Sequence, residues 1–181
     1  MPMSDRSTGG LRWCSESSHR VPRAGHQQDR HPVEMGTWSI TDSYDDAILS
    51  GTLALLSQEW WTRHRRPQDV DASLRASQLV FTAAGSDGQV VGTARVLTDF
   101  VYLATVLDVI SSQAHRGQGV GAALMEAITE HTRLQRVDSI ELICQPELED
   151  FYVRWGFSTE VGRSGLMRRT SNPALGAAAT Q

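Results

Sequence analysis

Residues 115–128, "HRGQGVGAALMEAI", decide how the rest of the chain is read. Arg116 stands directly before glycines at every second position, Gly117, Gly119 and Gly121, and an apolar helical pattern follows at once. The stretch before it, "YLATVLDVI" at 102–110, is apolar and rich in β-branched residues, and reads as a strand. A strand that passes through a glycine turn into a helix presents backbone N–H groups at the positive end of the helix dipole, where phosphate binds. The expected ligand is phosphorylated.

"GQGVGA" at 117–122 also meets the loose dinucleotide pattern G-x-G-x-x-G/A, with Asp138 about 20 residues further on. In that pattern the acidic residue closes the second strand, whereas Asp138 precedes the apolar run "SIELIC" at 139–144. A Walker loop needs a lysine before its Ser or Thr. The 17 basic residues here are all arginine, which removes P-loop and Schiff-base chemistry together.

Composition frames this reading. At 181 residues, 40% hydrophobic and 21% charged, the chain reads as one soluble globular domain with room for a core. A formal charge of −4 and no evident basic face argue against a nucleic-acid partner. With no apolar run near 18 residues and no signal-peptide core, neither membrane association nor secretion is expected, and the predicted location is cytoplasmic. Cys14 and Cys144 suggest neither a disulfide framework nor a zinc site, and no metal is expected. Residues 1–34 lack apolar periodicity and are predicted to be a disordered extension, with His19, His26 and His31 in a solvated tail and Met35 as an alternative start. Residues 35–170 are expected to form the domain and 171–181 a flexible tail.

Within the domain, "TWSI" (37–40) reads as a short strand, and Ser43 with Asp46 as a capping-box-like start to a helix. Ile48, Leu49, Thr52, Leu53, Leu56 and Trp60 fall on one face of that helix. A basic turn, "TRHRRP" (62–67), separates it from a shorter helix at 69–76. "QLVFTAA" (78–84) and "QVVGTARVL" (89–97) read as a hairpin around "GSDG". The helix after the glycine turn aligns Val120, Leu124, Ala127, Ile128 and His131. "SIELIC" supplies a further strand, and "PELEDFYVRWGF" (146–157) a helix opened by Pro146 with Leu148, Phe151, Tyr152 and Trp155 on one face. Closing strands are expected within 158–170. The order β-α-α-β-β-β-α-β-α-β describes an α+β, or mixed α/β, domain on one central sheet.

This order, the segment Arg116-Gly117-Gln118-Gly119-Val120-Gly121 and "FYVRWGF" at 151–157 resemble the GCN5-related N-acetyltransferases, the GNAT superfamily. The first segment fits the family's Q/R-x-x-G-x-G/A acetyl-CoA signature, and the second its Y-x-x-x-G-F helix end. The likeness spans roughly residues 37–169. It implies a mixed, mostly antiparallel sheet flanked by helices and an acetyl-CoA-dependent N-acetyltransferase with acetyl-CoA as cosubstrate. The implied activity is direct transfer of the acetyl group to a primary amine of a small molecule or peptide. A non-catalytic acyl-CoA-binding sensor or interaction module is the alternative, and a homodimer is compatible with either.

The resemblance also implies site residues. Arg116 to Gly121 would wrap the coenzyme A pyrophosphate, and Val109, Ile110 and Ser111 would lie beside the pantetheine arm. Gln145 stands where many members have an asparagine that reaches the cofactor. Tyr152 matches the tyrosine that protonates the departing thiolate. The family's usual glutamate is replaced by Leu107, so Asp108 and Glu141 are the candidates for general base, with a water relay as the alternative. Ser112-Gln113 replace the proline and glutamate usual before the arginine. On the acceptor side, Trp61 and Asp108 are expected to meet the amine, and Trp60 to pack in the core. Arg63, Arg65 and Arg66 read as solvated or as suited to an anionic acceptor, while Asp99, Asp108 and Glu141 would suit a polyamine or lysine side chain. Both acceptor classes stay open at this point.

Overall fold

Among the described residues, strand pairing switches once from antiparallel to parallel, and that switch positions the site. The computed structural model describes residues 33–35, 38–172 and 175. Among the described residues, six strands form one sheet in chain order: β1 (Val33–Met35), β2 (Trp38–Thr41), β3 (Leu79–Ala84), β4 (Val90–Thr98), β5 (Leu103–Ser111) and β6 (Ser139–Leu142). All neighbours are antiparallel except β5 and β6, which run parallel. A parallel pair requires a crossover, and α3 (Val120–Thr129) supplies it. The other helices are α1 (Asp46–Gln58), α2 (Pro67–Ala76) and α4 (Glu149–Val153), the last preceded by a 3-10 turn at Pro146–Leu148.

The sheet is covered on both faces. Phe81, Val96, Ala104 and Val106 pack with Val120, Leu124, Met125 and Ile128 of α3. Val80 and Ile110 pack on the other face with Leu55 and Leu56 of α1 and Val70 and Leu74 of α2. Burial of each large aliphatic side chain contributes about 1.5–3 kcal/mol. This two-sided cover explains why "LVFTAA" in β3 is nearly continuous in apolar character. Among the described residues, no helix is long and apolar enough to cross a membrane.

Four expectations are corrected. The cap of α1 is Asp45, whose side chain accepts from the Ile48 N–H at 2.9 Å, and not Ser43. Trp60 is 52% exposed because α1 ends before it, so the helical period that put it on the apolar face no longer holds, and Trp61 joins the second core instead. No strand forms within 158–170: Val161, Leu166 and Met167 do not alternate, Gly162 turns the chain at φ 64°, and the three apolar residues are 57%, 69% and 95% exposed. Leu148 is exposed because a 3-10 turn replaces the first turn of the expected helix. At the other end, β1 begins at Val33 and pairs with β2, two residues ahead of the expected domain boundary. The expectations for residues 1–32, including Cys14 and His19, His26 and His31, and for the end of the chain beyond residue 175 lie outside the described residues.

Candidate active site

A β-bulge in β5 opens the site. Arg95 pairs with Leu107 and Thr93 with Ile110, so Ala94 alone faces both Asp108 and Val109. Asp108 absorbs the extra residue at φ 54°, a conformation that costs an L residue about 1–3 kcal/mol. The parallel ladder to β6 ends at Val106–Leu142. From Leu107 to Ser111, β5 therefore has no strand partner on its β6 side among the described residues, and a 3-10 turn at Gln113–His115 leads from it to the glycine turn.

That turn is held from behind and open in front. Trp38 donates its indole N–H to the Gln118 carbonyl at 3.2 Å and meets His115 edge-on at 5.5 Å. Gln118 Nε2 donates to the Ala114 carbonyl at 3.0 Å. Gly117 and Gly119 adopt φ 76° and 88°, where a side chain would be strained, and a Cβ on either would meet nothing within 4 Å. The first helical N–H to find a carbonyl is that of Ala123, on Gly119 at 2.9 Å. The N–H groups of Gly119, Val120, Gly121 and Ala122 thus have no helical acceptor and lie at the positive end of the α3 dipole. Gly121 serves packing instead. A Cβ there would stand 3.3 Å from the Phe151 ring, so its bare backbone lets α4 lie against the start of α3. Arg116 reaches back to form an ion pair with Glu59, just beyond the end of α1.

Tyr152 of α4 is buried in the core cluster against which Val109, Leu142 and Cys144 also pack, and Cys144, two residues past the end of β6, is close enough to affect its titration. Phe151 and Phe157 meet its ring edge-on at 4.9 and 6.1 Å. Burial, and then the neighbouring Cys144, push its phenol up to about 12, so it retains its proton at neutral pH. Burial, followed by the charge of Glu149, also raises the Cys144 thiol. Gln145, half-buried, opens the 3-10 turn, where its carbonyl accepts from the Leu148 N–H at 2.9 Å.

Opposite this arrangement lies a cluster that the sequence did not reveal. Arg65 grips Asp108 with both terminal nitrogens, at 2.8 and 3.0 Å, and Arg95 Nε adds a third bond at 2.6 Å. The Asp108 side chain is 9% exposed and that of Arg95 14%. Burial alone would raise the Asp108 carboxyl, but hydrogen bonds and charge from Arg65 and Arg95 outweigh it and hold the group below the usual carboxylate range. An ionised carboxylate with three donors on it is a poor proton acceptor. Short turns in the α1–α2 connection aim Arg65 inward: its N–H donates to the Thr62 carbonyl at 2.8 Å, and the buried Thr62 hydroxyl is fixed on the Leu56 carbonyl. The Arg65 guanidinium also lies 5.5 Å from the centre of the Trp61 ring. Arg63 is exposed and Arg66 pairs with Asp69 at the surface, so of the three arginines only Arg65 turns inward.

The remaining carboxylates do not reach the bulge. Glu141 is level with Thr105, four residues before Val109, or about 13 Å along the strand at ~3.3 Å per residue. Asp99 sits at the other end of β5, where its Oδ1 accepts the N–H groups of Val101, Tyr102 and Leu103. Those three bonds lower its carboxyl and give it the role of a turn former.

Residues 39–157 match the family model described as Acetyltransferase (GNAT) family. The chain belongs to the GNAT family. A GNAT-family crystal structure from Xanthomonas campestris pv. campestris superposes with a TM-score of 0.65 at 28% identity, covering 78% of this chain and 98% of that one. Histone acetyltransferase TAP1 of Glycine max is 31% identical over 132 residues, 67% of this chain and 56% of the relative. Serotonin N-acetyltransferase 2, chloroplastic, of Oryza sativa subsp. japonica is 31% identical over 99 residues, 53% of this chain and 50% of the relative. The chain spans about half the length of these curated relatives.

For this GNAT chain, Val109, Ile110 and Ser111 lie on the part of β5 beyond the bulge, the glycine turn follows them in the chain, and Tyr152 is buried in the core against which Val109 packs. The structure sets Asp108 on the same bulge but in the grip of two arginines, and leaves Glu141 apart. Arg95 is the residue that sequence reasoning missed. Its signal was a lone charge inside the buried strand "VVGTARVLT", the counterpart of the aspartate inside "VLDVI".

Proposed function

We propose that this GNAT chain transfers the acetyl group of acetyl-CoA directly to a primary amine of a small molecule or peptide. One observation carries the reading: among the described residues, an unpaired edge of β5 beyond the bulge leads towards a glycine turn whose helix-start N–H groups have no helical acceptor, in a domain whose core holds a tyrosine that keeps its proton. The N–H groups from Gly119 to Ala122 are suited to a pyrophosphate, and the unpaired backbone at Val109 to Ser111 to an extended arm carrying amides. Bound acetyl-CoA supplies an acyl thioester. Backbone N–H groups on β5 beyond the bulge polarise its carbonyl. As the C–N bond forms and the C–S bond breaks, Tyr152 gives its proton to the sulfur and regains one from solvent.

Neither Asp108 nor Glu141 serves as base in this reading, so the proton of the incoming ammonium passes to water. At pH 7 about one amine in a thousand with a pKa near 10 is already free. Relatives named for histone, serotonin and glucosamine 6-phosphate acetylation span a protein, an arylalkylamine and an amino sugar, and their names select no acceptor for this chain. The engagement of Asp108 favours a second reading, an acyl-CoA-binding module without turnover. Thiol release from acetyl-CoA over an amine panel separates the two. Amine-dependent release is expected; a protein that binds coenzyme A yet releases no thiol with any amine overturns the transferase reading.

A further inference from the structure

The Asp108 cluster holds two guanidinium groups on one carboxylate. Arg65 alone would satisfy Asp108, because a bidentate pair occupies both carboxylate oxygens. Arg95 is therefore one positive charge more than the cluster needs, and it is held in a nearly buried position. Uncompensated buried charge is costly, and its retention marks places where a ligand brings the opposite sign. Geometry supports the same point. Arg95 uses only Nε on Asp108, and among the described residues its two terminal nitrogens have no protein acceptor. They are not among the buried unpaired atoms either, so they reach solvent. A planar pair of N–H donors of this kind matches a carboxylate or phosphate.

Position ties this fork to the reaction. Arg95 pairs with Leu107, two residues from Val109, or about 7 Å along β5. Trp61, beside Arg65, adds an aromatic wall from the α1–α2 connection. We infer that the acceptor is a primary amine that carries a carboxylate or phosphate a few bonds from its nitrogen, and that Arg95, steadied by Asp108 and Arg65, reads that anionic group. The inference rests on the acetyl-transfer reading and deepens it. It turns away the polyamine alternative, because Asp108 has no charge left to offer a second cation.

The test uses matched acceptors with saturating acetyl-CoA: O-phosphoethanolamine against ethanolamine for phosphate, and β-alanine against β-alaninamide for carboxylate. For at least one pair, the wild-type kcat/KM of the anionic member should exceed that of the neutral one by about 10- to 100-fold. Arg95→Gln should bring that ratio close to one, whereas a merely structural loss lowers both members and leaves the ratio standing. Inorganic phosphate should compete with the acceptor and not with acetyl-CoA, and this keeps the inference testable if the variant fails to fold. Equal or better use of the neutral members in both pairs, or a ratio that survives Arg95→Gln, overturns the inference while leaving acetyl transfer intact. Absence of thiol release with every amine instead fells the transferase reading and this inference with it.

Discussion

The cluster at Asp108 lies within β5 and the turn at Gly117–Gly121 follows a few residues after that strand ends, yet they are built from different material. The turn is backbone: consecutive residues, two positive φ angles and a helix N-terminus create its chemistry. The cluster is side chains from three places, with Arg65 43 residues and Arg95 13 residues from the aspartate they hold. Backbone sites tolerate almost any neighbouring side chain and fail when the chain cannot take the required φ. Side-chain sites depend on the fold to bring distant charges together, and fail when one partner is removed. A cofactor common to a whole family suits the first kind of construction, and an acceptor particular to one chain suits the second.

The largest effect that would sharpen this contrast is expected from Gly119→Glu. It combines a side chain at φ 88° with a negative charge where pyrophosphate should lie, and coenzyme A affinity should fall by about 1000-fold or more. The fold should survive, because nothing within 4 Å meets the new Cβ. Wild-type affinity by calorimetry would mean that the turn is not the phosphate site.

Asp108→Asn strikes the cluster. It leaves two guanidinium groups without their anion and should cost about 2–3 kcal/mol of stability, somewhat below the ~3–5 kcal/mol of a fully buried pair, since Arg65 is partly exposed. Coenzyme A affinity of the folded protein should stay close to wild type; a large loss would erase the division between turn and cluster. The effect has a defined pH dependence. The Asp108 carboxyl lies below its unfolded value of about 3.9, so its contribution is fully present above that value and is lost as pH falls through the folded one. The stability gap between wild type and Asp108→Asn should be flat from about pH 5 to 8 and close only below about pH 4. A gap that changes near neutrality would mean that Asp108 titrates there and is available as a base after all.

Tyr152→Phe should have the smallest effect on binding and stability. It removes a hydroxyl and keeps the ring that packs against Phe151 and Phe157. Turnover should fall by roughly 10- to 1000-fold, toward the low end because a thiol pKa near 8.5 already makes the thiolate a tolerable leaving group. Acetyl-CoA affinity should change far less. Full turnover with a slow, weakly nucleophilic amine would leave Tyr152 as a packing residue.

The same contrast explains what could be read from the chain alone. The strand, glycine turn and α3 are contiguous, so their order and their chemistry were legible together, as was the apolar face that carries Tyr152. The charge inside "VLDVI" was visible as a costly feature, but its purpose depended on two arginines that only the fold brings near. Trp60 misses its expected place in the core because α1 stops before the apolar pattern does, while Trp61 packs against the second cluster. The missing strand beyond Phe157 had a local cause: without alternation, "STEVGRSGLMRRT" has no apolar face to lay on β6.

A crystal structure with bound coenzyme A tests the central claim most directly, because it places backbone and side chains against the same ligand. Pyrophosphate oxygens are expected at about 2.7–3.2 Å from N–H groups between Gly119 and Ala122, the pantetheine arm along β5 at Val109–Ser111, and the sulfur within reach of the Tyr152 hydroxyl. A pyrophosphate bound away from the turn, or a sulfur facing away from Tyr152, would contradict that claim.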